Sequence, residues 1–326
     1  MALPLISTRN RICNIIINDY SIRYVELKQK NAITRVRWHE RMIPNDIVRD
    51  GKIIDLHSMQ NILDSCVDEW MLRRKAMRFI VPDPFVIIRK ITIPGEISKD
   101  EIKGYLYMEL GSSIHLPFEE PVFDYSILSE DDDKKELLLF AAQEEPVLQY
   151  ERLYSSARLA PKAADISPLA LYRLYHYLDM HKKGESLMMI QLDLTTVNIS
   201  ILENGIPLFM HHINLGLNEE IGRGVEQSHL YDGKINEYSL PVEDIYREMA
   251  RLMDFYRYSI KQNSQQVTNI LINGDHPQLE LFEQEMKARF EFPVQKLQLE
   301  AAVDEAGNLL PRSMYLALGL ALKEVH

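Results

Sequence analysis

The sequence predicts an α/β protein built as two like-folded lobes, and three observations predict it. Residues 188–216, MMIQLDLTTVNISILENGIPLFMHHINLG, read as strand, tight turn, strand, second turn, strand, and they have an echo near the N-terminus. Strands then alternate with helical patterns through both halves, as they do in α/β architectures. A chain of 326 residues also exceeds what one hydrophobic core usually supports, so more than one lobe is expected.

In the later copy the apolar run 188–194 ends at Thr195-Thr196. An alternating run over 199–202, the pair Asn204-Gly205 and a strand over 207–213 follow. Asn-Gly between alternating runs marks a hairpin, because both central residues of a type I′ turn take positive φ. In the early copy the strand 13–17 meets Asn18-Asp19-Tyr20, the strand 22–27 follows, residues 28–31 turn and 33–41 return. Pairing Ile16 with Asp193 gives an offset of 177 residues and aligns Glu26 with Glu203.

Residues 55–74 place Leu56, Met59, Ile62, Leu63, Cys66, Trp70 and Met71 at a helical period. A strand over 77–81 is broken by Pro82-Asp83-Pro84, and another over 85–93 is closed by Pro94-Gly95. Ser98 with Glu101 forms a capping box for a helix through about Leu110. The corner His115-Leu116-Pro117-Phe118 precedes strands over 122–128 and 137–142, joined by a charged tip. Helices follow over 146–159 and 169–181, with Pro168 suited to a first turn. The second half continues with helices over 218–226 and 241–259 and a short strand over 270–272 that ends at Asn273-Gly274-Asp275. A helix over 279–290, a strand over 294–297 and a helix of small residues over 313–324 close the chain.

The count of 48 acidic against 37 basic residues gives a formal charge of −11, which excludes a general nucleic-acid binder needing a basic surface for phosphates. It also opposes broad docking on anionic lipid. Two cysteines, Cys13 and Cys66, fall in apolar patterns and read as buried thiols in a reducing compartment. No apolar run reaches the roughly 18 residues of a spanning helix, and the first ten residues lack a signal-peptide core. The expectation is a cytoplasmic protein that reaches a membrane only through a partner. His211 and His212 are adjacent on a strand and point to opposite faces, so they cannot share a metal. Phe255, Tyr256 and Tyr258 read as core and rim of a helix, and no Ser-His-Asp or Cys-His arrangement has supporting context.

The chain resembles the actin-like (ribonuclease H-like) ATPase superfold, and within it the PilM family of type IV pilus assembly proteins. The match lies in Tyr105 to Leu110, Ile114-His115-Leu116-Pro117-Phe118-Glu119-Glu120 and Phe123-Asp124-Tyr125. It continues through 138–142, 165–171, Asp254-Phe255-Tyr256-Arg257 and the closing Leu318-Gly319-Leu320-Ala321. The resemblance implies lobe 1 (1A) over 1–84 and 167–185, an inserted 1C subdomain over 85–166, also found in the cell-division protein FtsA, and lobe 2 over 186–326, with 2B at 217–268. It implies a scaffold that binds the cytoplasmic N-terminal tail of a PilN-like bitopic inner-membrane protein in a groove between 1A and 1C. A pilus motor ATPase is a second candidate partner. The system served is a type IV pilus or a competence pseudopilus.

The same resemblance maps the two phosphate loops onto Ile16-Ile17-Asn18 and Asp193-Leu194-Thr195, and the adenosine turn onto Gly274-Asp275. An actin-like loop needs a residue without a Cβ, so that backbone N–H groups reach phosphate, and a carboxylate to organise a divalent metal. Ile16 stands at the acidic position and Asn18 at the glycine, where its tolerance of left-handed φ would keep the turn. Thr195 replaces the second glycine, at a position where a β-branched residue would be strained. Asp19, Ser21, Thr195 and Thr196 supply polar replacements, Asp193 would hold magnesium if any is bound, and Arg23 reads as a surface strand residue. The cofactor expectation is therefore none, or ATP with magnesium in a degraded pocket, with hydrolysis not expected. In the preferred reading Asp193 caps a turn in a relic cleft. The partner peptide is assigned to Tyr105, Tyr107, Glu109 and Leu116, an apolar stripe and corner of the inserted segment. The alternatives are an active actin-like ATPase or sugar-kinase-like enzyme, and a filament-forming protein like FtsA. FtsA proteins carry a C-terminal membrane helix after a linker, whereas this sequence ends directly after its closing helix.

Overall fold

The computed structural model describes residues 12–29, 32–216 and 240–324. The expected helix over 218–226 and part of the expected 2B segment lie outside the described residues.

The first lobe begins with β1 (Cys13–Ile17), β2 (Ser21–Gln29) and β3 (Ala32–Met42), a small hairpin of β4 (Val48–Arg49) and β5 (Lys52–Ile53), then α1 (Leu56–Glu69) and β6 (Ala76–Ile80). An inserted module follows, with β7 (Val86–Pro94), α2 (Ile102–Glu109), β8 (Pro121–Glu130) and β9 (Lys134–Gln143). The chain returns through α3 (Glu144–Ser156), β10 (Ala160–Asp165) and α4 (Ser167–Tyr177). The second lobe holds β11 (Ser186–Leu192), β12 (Thr196–Glu203), β13 (Ile206–Asn214), α5 (Val242–Asp254), β14 (Asn269–Asn273), α6 (Leu279–Arg289) and β15 (Val294–Lys296), and α7 (Tyr315–Ala321) follows.

Two five-stranded sheets have the orders β10-β6-β1-β2-β3 and β13-β12-β11-β14-β15. In each, an antiparallel meander contributes three strands and two further strands add in parallel beside the first. The two halves are thus one topology used twice. Asn204 and Gly205 both take positive φ (48° and 81°) in the β12–β13 turn, as the Asn-Gly pair requires.

Strand alternation divides the apolar residues between cores. Ile15 and Ile17 of β1 face α1 and α3, whereas Ile16 faces the other way. It joins Leu187 and Met189 of β11, Ala170 and Leu174 of α4, and Leu316 to Ala321 of α7 in a core shared by both lobes. Here Gly319 has a packing reason, because a Cβ on it would lie 2.1 Å from the carbonyl oxygen of Ala170. The small residues of α7 let it lie close against α4, and both lobes share what the two helices bury.

In the module, Leu137, Leu139 and Ala141 of β9 pack with Ile102 and Leu106 of α2. Leu138, Phe140 and Ala142, on the opposite face, pack against the first lobe. The expected segment 85–166 therefore also contains α3 and β10, which belong to the first lobe by contact and pairing. Strand β10 is absent from the sequence reading because Ala-Pro-Lys-Ala-Ala-Asp carries no β-branched or aromatic residue. Parallel pairing with β6 makes it a strand nonetheless. The helix expected over 241–259 ends at Asp254 and continues as a π-turn over Phe255–Ile260. Ser98 and Glu101 do meet, but one turn ahead of α2, where both the amide and hydroxyl of Ser98 donate to the Glu101 carboxylate.

Candidate functional site

The two β-hairpins at the cleft close in the same way. Ile17 pairs with Ile22 and Asn18 N–H donates to Ser21 C=O; Leu192 pairs with Val197 and Asp193 N–H donates to Thr196 C=O. Asn18, not Ile16, is therefore the counterpart of Asp193, and the lobes are offset by 175 residues at this point. The 177-residue pairing is corrected by hydrogen-bond register, which outranks the chance alignment of Glu26 with Glu203. Neither Asn18 nor Thr195 has positive φ. The strain expected at Thr195 is absent, because the turn needs no left-handed residue there.

The polar groups of the first turn serve their own backbone. Asn18 Oδ1 accepts from the amides of Tyr20 (3.2 Å) and Ser21 (2.7 Å) and from the Ser21 hydroxyl (3.1 Å). Asp19 accepts from the amides of Asp50 (2.7 Å) and Gly51 (2.9 Å), which fastens the β4–β5 hairpin to the turn. In the second turn Thr195 is buried and its carbonyl accepts from Leu215 N–H (2.9 Å), while Thr196 opens β12 with its side chain half-buried. Asp193 does not cap its turn. Its Oδ1 accepts from Gln191 Nε2 (2.6 Å), and Gln191 Oε1 accepts from Asn273 Nδ2 (2.8 Å). Burial, reinforced by the Asp275 charge, pushes the Asp193 carboxyl up to about 8.

Arg23 corrects a second expectation. It lies on the cleft-facing side of β2, 3% exposed, and donates from Nε to Glu40 (2.7 Å) and from Nη2 to Asp275 of the other lobe. A surface assignment failed because an isolated arginine in an alternating strand gives no sign of a second lobe closing over it. Tyr20 OH lies 2.8 Å from both carboxylate oxygens of Asp275, and the Leu194 amide donates to that hydroxyl at 3.5 Å. Burial, then the Asp275 charge, raises the Tyr20 phenol well above its ordinary value. Burial works against the Arg23 charge, but Asp275 and its neighbours outweigh it and keep the guanidinium charged.

Gly274, with φ of +136°, sits where β14 passes the end of β11; a Cβ there would be 1.8 Å from Leu192 O. Close backbone approach within the second lobe accounts for this glycine.

A second bridge crosses the cleft beside the first. Asp50 Oδ1 lies 3.0 Å from His212 Nε2 and accepts from Asn214 Nδ2 (2.9 Å), while His212 Nδ1 lies 2.7 Å from Asn198 Oδ1. Ser167 Oγ donates to Asp83 (2.6 Å), and burial pushes the Asp83 carboxyl up to about 6. Between these groups the cleft keeps about 70 Å³, lined among others by Asn18, Arg23, Asp83, Asp193, Thr196 and His212. Among the described residues, no group of three or more His, Cys, Asp or Glu side chains is arranged to hold a metal. Tyr20, Asp50, Asp83 and His212 were missed as cleft residues. The Pro-Asp-Pro break after a strand was the one signal that could have found Asp83.

A larger opening lies on the inserted module. After α2 the chain turns through Leu110 and runs to Pro121, enclosing a groove of about 620 Å³ lined by Leu110, His115, Leu116, Phe118, Glu119 and Glu120 with their neighbours. It meets the first lobe where the Glu144 amide, at the start of α3, donates to Glu120 C=O (3.1 Å). Of the residues assigned to peptide contact, Leu116 lines this groove and the other three do not. Tyr105 packs half-buried in the module core, Tyr107 is exposed with its ring edge-on to Phe123 (4.7 Å), and Glu109 accepts from the Ser113 hydroxyl. The helical stripe was thus mostly core, and the groove comes from the loop that follows it.

The sequence matches the family model of type IV pilus assembly protein PilM over residues 15–232, more than half of the chain. Among solved structures, a PilM-PilN type IV pilus biogenesis complex is similar with a TM-score of 0.70 and 16% identity, over 96% of this chain and 98% of that one. A Bacteroides thetaiotaomicron protein of unknown function with an actin-like ATPase fold gives a TM-score of 0.50 at 11% identity, over 99% of this chain and 100% of that one. No curated protein matches the sequence. The fold is actin-like, with the duplicated lobes read above. No helix among the described residues is long and apolar enough to cross a membrane.

Proposed function

Because the chain belongs to the PilM family of type IV pilus assembly proteins, we propose that it is a pilus-assembly scaffold whose interlobe cleft no longer takes nucleotide and whose module groove takes a peptide. The peptide is the cytoplasmic N-terminal tail of a PilN-like inner-membrane protein, which would hold the scaffold at the inner face of the membrane. One observation carries this reading: the free space in the cleft is about 70 Å³, and that of the groove about 620 Å³. Small-molecule sites commonly enclose ~300–1,000 Å³.

The chemistry of the cleft supports the same reading. Mg-ATP needs backbone amides free to meet phosphate and a carboxylate to organise the metal's waters. Here the turn amides of Tyr20 and Ser21 are spent on Asn18, and those of Asp50 and Gly51 on Asp19. Burial, reinforced by the Asp275 charge, raises the Asp193 carboxyl and disfavours the carboxylate form that would bind a metal, and Arg23 and Tyr20 hold Asp275 across the opening. These residues do not fit a magnesium nucleotide, and no catalytic step is assigned to them.

The groove supports peptide capture by its half-buried apolar floor of Leu110, Leu116 and Phe118, which lies at the join between the module and the first lobe. Isothermal calorimetry with the cytoplasmic N-terminal tail of a PilN-like single-span membrane protein from the same organism tests the proposal. Saturable heat that Leu116→Asp abolishes, with the far-ultraviolet spectrum unchanged, is the expected result. Absence of heat at tens of micromolar would overturn the partner assignment.

A further inference from the structure

We infer that the groove selects a cationic tail: its apolar floor takes an aliphatic or aromatic side chain of the peptide, while Glu119 and Glu120 on its rim take flanking Lys or Arg. The inference rests on the tail reading above and specifies the chemistry of the occupant.

Glu119 and Glu120 are exposed, line the groove, and carry no ion pair among the described residues. The Glu144 carboxylate, on the residue whose amide bonds Glu120 C=O, has no ion pair among them either. At the far end of the same module the pattern is opposite. Glu130 lies 3.3 Å from Lys99 and 3.6 Å from Lys135, and Glu136 lies 2.9 Å from Lys90. The guanidinium of Arg89 is turned to a backbone acceptor, the His115 carbonyl.

Glu119 and Glu120 follow half-buried Leu116 and Phe118 directly in the chain, so the carboxylates and the apolar side chains belong to one loop. Unpaired negative charge there attracts cations and repels anions, at a range that salt shortens.

Charge also decides between occupants. A second copy of this chain, at −11, would bring a strongly acidic surface to an acidic rim. Cytoplasmic segments next to a membrane span carry an excess of Lys and Arg. A juxtamembrane tail therefore meets both the floor and the rim.

Fluorescence anisotropy would use the cytoplasmic N-terminal tail of the PilN-like protein from the same organism as a labelled peptide, alongside a version with every Lys and Arg changed to Gln. The Gln version should bind at least about tenfold more weakly at low salt. The double variant Glu119→Gln/Glu120→Gln should weaken the native tail similarly, remove most of its salt dependence, and leave the Gln version unchanged. Both substitutions are at the surface, so an unaltered melting curve separates lost affinity from lost fold. Equal binding of both peptides without salt dependence would overturn the charge inference and leave tail capture standing. Binding of neither would overturn both.

Discussion

The interlobe cleft and the module groove differ in what their polar groups do. In the cleft nearly every donor and acceptor is matched inside the chain: Arg23 to Asp275 and Glu40, Asp19 to two amides, Asp50 to His212 and Asn214. At the groove two carboxylates flank half-buried apolar side chains and carry no ion pair among the described residues. Buried polar groups are costly unless paired. A buried cleft must therefore match its polar groups internally, whereas an exposed groove bears no such penalty. The comparison separates a region whose residues hold two lobes together from one whose residues remain available.

The largest effect should come from breaking the cleft. Arg23→Ala strands Asp275 and Glu40 in a buried site and should cost about 3–5 kcal/mol of stability in urea unfolding, with no effect on tail binding per folded molecule. Replacing Arg23 and Asp275 together by Met and Leu should recover much of that loss, because the unpaired charge is what costs. A loss no larger in the single variant than in the double would show that the bridge is not the fastening described.

Gly274→Ala should follow, at on the order of 3 kcal/mol, since its Cβ meets Leu192 O at 1.8 Å in a positive-φ backbone. Differential scanning calorimetry reads this as a lowered melting temperature. A neutral result would mean that the β14–β11 approach is looser than described.

The pH dependence gives a smaller effect. Burial pushes the folded Asp193 carboxyl up to about 8, against an ordinary value of 3.8, so the folded state binds a proton that the unfolded chain has released. Stability therefore falls as pH rises from about 4 to about 8, and Asp193→Asn should flatten that slope. Asp83, held at about 6, adds to the lower part of the same range. Unfolding midpoints across this range check both signs, and a slope that survives in Asp193→Asn would remove Asp193 as its source.

The smallest effect belongs to the exposed face of α2. Tyr107 and Met108 are 60% and 72% exposed, so Met108→Ser should stay within about 0.5 kcal/mol of the parent and leave tail affinity unchanged. A large loss of affinity in this variant would move the binding surface from the groove to the helix.

Much of the fold was legible because it is local. The Asn-Gly turn, the alternating meanders and the Pro-bounded strands carry their signal within a few residues, and both halves repeat it. Strand β10 was not legible, since its Ala-rich sequence becomes a strand only through pairing with β6. The site was legible in part. Asn18, Asp19, Asp193 and Thr196 do lie at the cleft, but their roles depend on partners far away in the chain. Asp275 is 252 residues from Arg23, and Asp50 is 162 from His212. No local pattern records such meetings, which is why Arg23 read as a surface residue. Tyr105, Tyr107 and Glu109 lie outside the groove, and the sequence could not place them relative to it: a helical stripe marks an apolar face whether that face meets its own sheet or another chain.

The most direct test is the melting temperature of the intact chain with and without millimolar magnesium ATP. A ligand that binds only the folded state raises stability by RT ln(1 + [L]/Kd). A cleft fastened by Arg23, Tyr20 and Asp275 should show no shift, whereas a rise that saturates with nucleotide, and that Arg23→Ala enlarges, would contradict it.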